Sequence, residues 1–336
     1  MKKKAVFLSM ANNRNIGNVY NERTQSRLRE KLDLSPEMIN PENMEQHKEM
    51  LAEVEVAFAT WGIPKLTEEQ IEQYFPKLTI LLYGAGSVQH FARPFLAKGV
   101  TIVSAWAANA VPVAEFTVAT IILANKGFVQ TANRYKQVSH KASREHTEMY
   151  KGNYGATVGI LGAGMIGRRV IEMLQSYRLI LKVYDPFLPD AKAVEMGVHK
   201  TDLIDIFSNC DTISNHLANL PETQGILNKD HFDKMLPHAT FINTGRGAQV
   251  VEADLIQALK DVPTRTALLD VTYPEPVEVD SELLKLDNVV LTPHIAGSFG
   301  QEVARMGVYM EEEYERFTKG EPLRYQVTLE MLATMA

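Results

Sequence analysis

The sequence predicts an α/β protein of two domains, each a doubly wound sheet of parallel strands, and three observations carry that expectation. Short apolar, β-branched runs alternate along the chain with helical patterns. Most of the runs lack polar alternation, as expected of strands covered by helices on both faces. The chain has 336 residues, more than one ordinary core accommodates.

In chain order, the first third contributes the strand runs KAVFLS (4–9), VEVAFATW (54–61) and LTILLYG (78–84). The middle contributes TVGILG (157–162), LILKVYD (179–185), DTISNHLA (211–218), TFINTG (240–245), TALLDV (266–271) and NVVLTPH (288–294). Helices are predicted between them: TEEQIEQYF, opened by a Thr67/Gln70 capping box; MIGRRVIEMLQSY, directly after a glycine cluster; and EADLIQALK. Two longer helices are predicted, from about Pro112 to Tyr135 and from about Phe299 to Phe317, the second with a Ser298/Gln301 capping box. They flank the central strand series. This arrangement suggests a discontinuous domain of residues 1–106 and 299–336 around a continuous domain of residues 107–298.

Composition narrows the function. Hydrophobic residues make up 45% and charged residues 23%, as in a soluble globular chain. The net charge of -6 argues against a nucleic-acid binder, which would present a basic face. The single cysteine, Cys210, excludes an internal disulfide and reads as a small core residue in a protein of the reducing cytoplasm. The apolar run after the basic start MKKK is shorter than a secretory h-region, and no segment is expected to span a membrane.

Gly162-Ala163-Gly164-Met165-Ile166-Gly167 forms a GxGxxG turn between a predicted strand and a predicted helix. In that setting Gly162 permits the tight turn, Gly164 the approach of a pyrophosphate and Gly167 close packing of helix on strand. The helix N-terminus then offers free N–H groups to the phosphates. Asp185, eighteen residues beyond Gly167, closes the next strand. A carboxylate there binds ribose hydroxyls and repels a 2′-phosphate, which favours NAD over NADP, although Arg168 and Arg169 lie nearby.

Three polar residues follow strands downstream: Arg246 after TFINTG, Glu275 after TALLDVTYP, and His294 at the end of NVVLTPH. In a doubly wound sheet the carboxyl ends of the strands face the ligand crevice, so these side chains are expected beside the dinucleotide. Arginine grips a carboxylate in a two-point fork. Histidine exchanges a proton near neutral pH, and a neighbouring glutamate orients it and favours its charged form. That set suits hydride exchange with a 2-keto acid.

On the segments GILGAGMIG, VYDP, LPETQGILN, FINTGRGAQVVEADLIQAL, LLDVTYPEP and LTPHIAG, the sequence resembles the D-isomer-specific 2-hydroxy acid dehydrogenases, the group containing phosphoglycerate, glycerate and D-lactate dehydrogenases. The resemblance covers most of the chain and is clearest from about Ala107 to Gly297. It implies a Rossmann-type NAD-binding domain and a flavodoxin-like substrate domain. It also implies substrate binding by Arg246, acid/base work by His294 and pairing of Glu275 with His294. The 29 residues from Arg246 to Glu275 match the family, and 19 more lead to His294. By the same resemblance, cofactor contacts are expected from Met165, Ile166, Asp185, Leu217, Ala218, Thr223, Thr244, Gly245 and Asp270, the last toward the nicotinamide carboxamide. The YGAGS loop would hold the substrate carboxylate through backbone N–H groups at Ala85 and Gly86. The helix from Pro112 would help form a homodimer.

The chain departs from the family in the SVQHF stretch, at Ala218 in place of a common proline, and at Trp106. Trp61, Tyr83, Gln89, His90 and Trp106 are therefore candidates for shaping the substrate pocket. Formate and phosphite enzymes on the same scaffold are alternatives; Glu275 argues against the first, whose members carry glutamine there. A corepressor or scaffold sensing NAD(H) is an alternative of another class. A hydrolase fits poorly: there is no HExxH or G-x-S-x-G motif, and no metal is expected. His231 and His238, flanking FDKMLP, read as surface residues.

Overall fold

The structure is a computed structural model that describes residues 2–11 and 14–333. The chain divides into two compact units, residues 1–109 with 298–336, and residues 110–297.

In the first unit five parallel strands, β1 (Lys4–Leu8), β2 (Asp33–Ile39), β3 (Val56–Ala59), β4 (Ile80–Tyr83) and β5 (Thr101–Ser104), lie in the order β5-β4-β3-β1-β2. This is the flavodoxin-like order. A short strand, Gln326–Val327, closes the sheet antiparallel to β5. Every residue of β3 and β4 is buried, as the unbroken apolar runs predict. β2 and β5 were not anticipated. Pro36 disguises β2 as a loop, but β2 is an edge strand, where proline's missing N–H is tolerated.

In the second unit seven parallel strands, β6 (Tyr154–Leu161), β7 (Arg178–Tyr184), β8 (His199–Lys200), β9 (Thr212–Asn215), β10 (Thr240–Asn243), β11 (Thr266–Leu269) and β12 (Val289–Leu291), run in the order β12-β11-β10-β9-β6-β7-β8. The strand order reverses between β6 and β9, and the carboxyl ends beside that switch point are where a dinucleotide-binding sheet opens its crevice. Cys210 is fully buried in this unit, and burial pushes its thiol up to about 12.

The helices account for the main differences from expectation. The long helix predicted from Pro112 to Tyr135 is two helices, α1 (Trp106–Ala124) and α2 (Phe128–Tyr135). They part at Gly127, whose φ of 58° leaves the helical region and where a Cβ would lie 2.2 Å from the Tyr150 ring. α1 also begins earlier than Pro112 and carries that proline inside. Contrary to expectation, α1 is long and apolar enough to cross a membrane by length and composition alone. More than half of it is buried within the protein, with Ala114, Val118 and Ile121 in the core of the second unit.

The last long helix is α5 (Val303–Thr318); α3 (Met165–Leu174) follows the glycine turn and α4 (Glu252–Asp261) follows β10. A single 3-10 turn, Gly300–Glu302, precedes α5, and the expected Ser298/Gln301 pair does not cap it. Glu302 Oε2 accepts the Phe299 N–H at 3.0 Å, one register later. Ser298 donates its N–H to Asn109 Oδ1 at 2.9 Å instead.

Candidate active site

The glycine turn leaves β6 at the switch point. Gly162 has a φ of 91°, and a Cβ there would lie 2.7 Å from the His216 carbonyl oxygen. A Cβ on Gly167 would lie 2.0 Å from the Gly162 carbonyl oxygen, so only glycine lets α3 sit this close to the strand. Gly164 caps α3 and has nothing within 4 Å of a Cβ position. The turn is therefore closed on the protein side and open at the helix N-terminus, with Met165 exposed and Ile166 half-buried beside it. This shape suits a dinucleotide pyrophosphate.

Asp185 anchors the neighbouring strand end. Its Oδ2 accepts the Ala163 N–H at 2.7 Å, and its Oδ1 accepts the N–H groups of Phe187 at 2.8 Å and Leu188 at 3.1 Å. The carboxylate is thereby fixed beside the glycine turn. Arg168 folds back to donate from Nε to the Ala163 carbonyl at 2.7 Å.

The strand ends β10, β11 and β12 supply the remaining groups. His294 lies three residues past β12 with a φ of 57°, the left-handed region that non-glycine residues seldom occupy. Its N–H donates to the carbonyls of Asp270 and Thr292, each at 3.0 Å. Its Nδ1 lies 2.7 Å from Glu275 Oε1, and both side chains remain partly open, at 44% and 41%. Asp270, 3% exposed, accepts from Thr292 Oγ1 (2.6 Å), from the Ile295 N–H (2.8 Å) and from the Ala296 N–H (2.8 Å). It clamps the loop that carries His294. Arg246 Nη1 donates to the Gly245 carbonyl at 2.8 Å. Burial pulls its guanidinium below the ordinary arginine value, and the nearby Glu275 carboxylate opposes that shift. Arg246, Glu275 and His294 thus form one electrostatic group.

Residues 118–296 match the family model described as D-isomer specific 2-hydroxyacid dehydrogenase, NAD binding domain. The chain belongs to the D-isomer specific 2-hydroxyacid dehydrogenase family. It is 32% identical over 232 residues to D-3-phosphoglycerate dehydrogenase of Archaeoglobus fulgidus, covering 69% of this chain and 44% of that protein. It is 33% identical over 230 residues to the enzyme of the same name from Mycobacterium tuberculosis, covering 67% and 42%. The chain therefore spans less than half the length of these curated relatives. Among solved structures, it superposes on a phosphoglycerate oxidoreductase from Rhizobium etli with TM-score 0.81 (21% identity, 97% of this chain and 99% of that one). It superposes on apo D-mandelate dehydrogenase from Rhodotorula graminis with TM-score 0.79 (19% identity, 98% of both chains). At these identities the superpositions show a shared fold.

Other predicted residues of this family member fall as follows. Leu217, Ala218 and Thr223 form a loop after β9 in which Thr223 Oγ1 donates to the Ala218 carbonyl at 2.7 Å. Thr244 shares a 3.2 Å hydroxyl contact with Thr117, and the Gly245 N–H donates to Asn243 Oδ1 at 3.0 Å.

In the first unit the two expected backbone donors differ. The Ala85 N–H already donates to the Tyr83 carbonyl at 2.8 Å, because the chain turns tightly at the end of β4. Gly86 keeps its N–H free among the described residues, while Ser104 Oγ lies 2.8 and 2.6 Å from the Ala85 and Gly86 carbonyls and holds the loop from behind. Of the pocket candidates, Tyr83 is a core residue, its ring 4.7 Å from that of Phe91. Trp106 is half-buried against Tyr325 at 6.1 Å, and Gln89 Nε2 donates to the Leu332 carbonyl at 2.7 Å. His90 and Trp61 are the more open ones.

Two histidines read as surface residues are engaged. His238 Nε2 lies 2.8 Å from Asp211 Oδ1, and His231 packs 5.4 Å from the Phe207 ring. The helix there is only Lys229–Phe232, so of FDKMLP only Phe232 is helical. Sequence reasoning also missed Asn215, Asn243 and Gln249, three buried amides that tie the strand ends together. Their signal is a polar residue inside an otherwise apolar run, as at Gln249 in AQVV.

Proposed function

We propose that this chain is an NAD-dependent dehydrogenase that interconverts a D-2-hydroxy acid and its 2-keto acid. The observation that carries this reading is the 2.7 Å contact of His294 Nδ1 with Glu275 beside Arg246, on the strand ends next to the glycine turn. When bound, the nicotinamide supplies the hydride to the carbonyl carbon, or accepts it in the reverse direction. Arg246 grips the substrate carboxylate and polarises the adjacent carbonyl with its fork of donors. With Nδ1 turned to Glu275, His294 delivers a proton from Nε2 to the carbonyl oxygen, and takes it back when the alcohol is oxidised. Glu275 holds the ring orientation and balances its charge.

Asp185 supports NAD over NADP, since its carboxylate would face a 2′-phosphate at the ribose. The exposed apolar side chains Leu123, Phe128 and Tyr135 along α1 and α2 favour a homodimer, and the buried thiol of Cys210 suits a reducing cytoplasm.

The test is turnover of NADH with a panel of 2-keto acids, from glyoxylate and pyruvate to hydroxypyruvate and bulky or sugar-derived acids. Wild-type turnover that collapses in Arg246→Ala and His294→Ala is the expected result. Tight NADH binding without reduction of any member would overturn the reading in favour of a sensor.

A further inference from the structure

Beneath Arg246 lies a hydrogen-bonded core of three amides, Asn215, Asn243 and Gln249, each no more than 1% exposed. Gln249 Nε2 donates to the carbonyls of Leu217 at 2.8 Å and Ala218 at 2.9 Å. Two carbonyls require the NH2 group on that side, so Oε1 faces the other way, where it accepts the Arg246 N–H at 3.3 Å and Asn215 Nδ2 at 2.6 Å. Asn215 in turn donates to Asn243 Oδ1 at 3.0 Å and accepts the Leu217 N–H at 3.2 Å. Asn243 Nδ2 donates to the Arg246 carbonyl at 3.1 Å. The peptide groups on both sides of Arg246 are therefore held by side chains, and those side chains also hold the 217–218 loop.

We propose that Gln249 is a positioning residue that links the 217–218 loop to Arg246, so that a dinucleotide seated against that loop sets how tightly the 2-keto acid is held. The proposal rests on the dehydrogenase reading above. The physical reason is the completeness of the network. Buried amide donors and acceptors are costly to leave unpaired, so a movement of the loop carbonyls is passed on rather than absorbed. Among the described residues, Gln249 is the one side chain that contacts both the loop carbonyls and the Arg246 N–H. The linkage is reciprocal: a keto acid held on Arg246 tightens the dinucleotide by the same factor.

The test is a double-mutant cycle on kcat/KM for the best 2-keto acid, with Gln249→Leu introduced into wild type and into Arg246→Lys. The expected result is a loss of about 10- to 100-fold in wild type, carried by KM for the keto acid, and almost no further loss in Arg246→Lys. NADH is expected to tighten the binding of oxamate, an unreactive 2-keto-acid analogue, in wild type and to do so several-fold less in Gln249→Leu. The variant Gln249→Glu guards against simple misfolding, because it keeps an acceptor for the Arg246 N–H and Asn215 Nδ2 and removes only the amide donor to the Leu217 and Ala218 carbonyls; it is expected to melt cooperatively yet remain uncoupled. Equal losses in both backgrounds, or undiminished oxamate coupling in Gln249→Leu, would overturn the proposal and leave the dehydrogenase reading standing. A wild-type protein that binds NADH but reduces no keto acid would overturn both.

Discussion

His294 holds its Nδ1 2.7 Å from Glu275 Oε1 while its own backbone sits at a φ of 57°. A left-handed conformation costs a non-glycine residue about 1–2 kcal/mol, so the chain accepts strain to aim this ring. Two outcomes follow from that single geometry. His294→Ala and His294→Gly should both lose about 100-fold or more in kcat, the scale of a missing general acid. The glycine variant should nevertheless be the more stable of the two by about 1 kcal/mol, since glycine accepts the positive φ. Steady-state kinetics and thermal unfolding of the same pair check both. Glu275→Gln should keep the ring in place but lose the carboxylate, giving a smaller fall in kcat than His294→Ala.

Arg246 is half-buried, with its backbone fixed by Gln249 and Asn243. Arg246→Lys keeps a positive charge but loses the planar fork, so it should not rescue activity. We expect kcat/KM to fall about 100-fold or more in Arg246→Ala and by a substantial part of that in Arg246→Lys. NADH affinity, measured by fluorescence titration, should change far less in either. A lysine variant with near wild-type kcat/KM would show that charge alone suffices.

Sequence patterns exposed some parts of the molecule and hid others for definable reasons. The strands β3, β4 and the buried part of β6 were legible because burial on both faces leaves nearly uninterrupted apolar runs. Gly162 and Gly167 were legible because a close backbone approach admits no other residue. β2 was hidden by a proline that an edge strand tolerates, and the break at Gly127 was hidden because Asn125–Gly127 sits inside a continuous helical pattern. The contacts of Ala85 were hidden because they depend on which way one peptide N–H turns. The Asn215–Asn243–Gln249 core depends on three strand ends meeting, and no local pattern reports it.

Stability should fall with acid through His216. Its ring is buried, its Nε2 lies 2.9 Å from Ser214 Oγ, and its Nδ1 has no partner among the described residues. Burial pushes it down to about 4 from an ordinary 6.5. The folded state therefore binds the proton less readily than the unfolded state. The stabilisation of the neutral ring is fully present above about pH 6.5 and is lost as the pH falls toward 4, reaching roughly 3 kcal/mol for a shift of this size. Urea unfolding of wild type and His216→Gln between pH 7 and pH 4 checks this: the wild type should lose stability more steeply, and parallel curves would remove His216 as the cause.

Asp185 is expected to join cofactor choice to local stability, and the two effects separate experimentally. Its carboxylate accepts three backbone N–H groups, from Ala163, Phe187 and Leu188, at the edge of the glycine turn. Asp185→Ser removes the charge that would repel a 2′-phosphate and leaves most of those N–H groups unpaired. Affinity for NADPH should therefore rise relative to NADH by about 10-fold or more, most of it through weaker NADH binding. Unfolding free energy should fall by about 1–3 kcal/mol from the lost bonds. Asp185→Asn tests the division, because its single carbonyl oxygen retains part of the acceptor capacity without the charge. If charge governs cofactor choice, Asp185→Asn should approach the serine variant in preference while keeping more stability. If it instead retains wild-type preference, hydrogen bonding to the ribose rather than repulsion of the phosphate sets the choice.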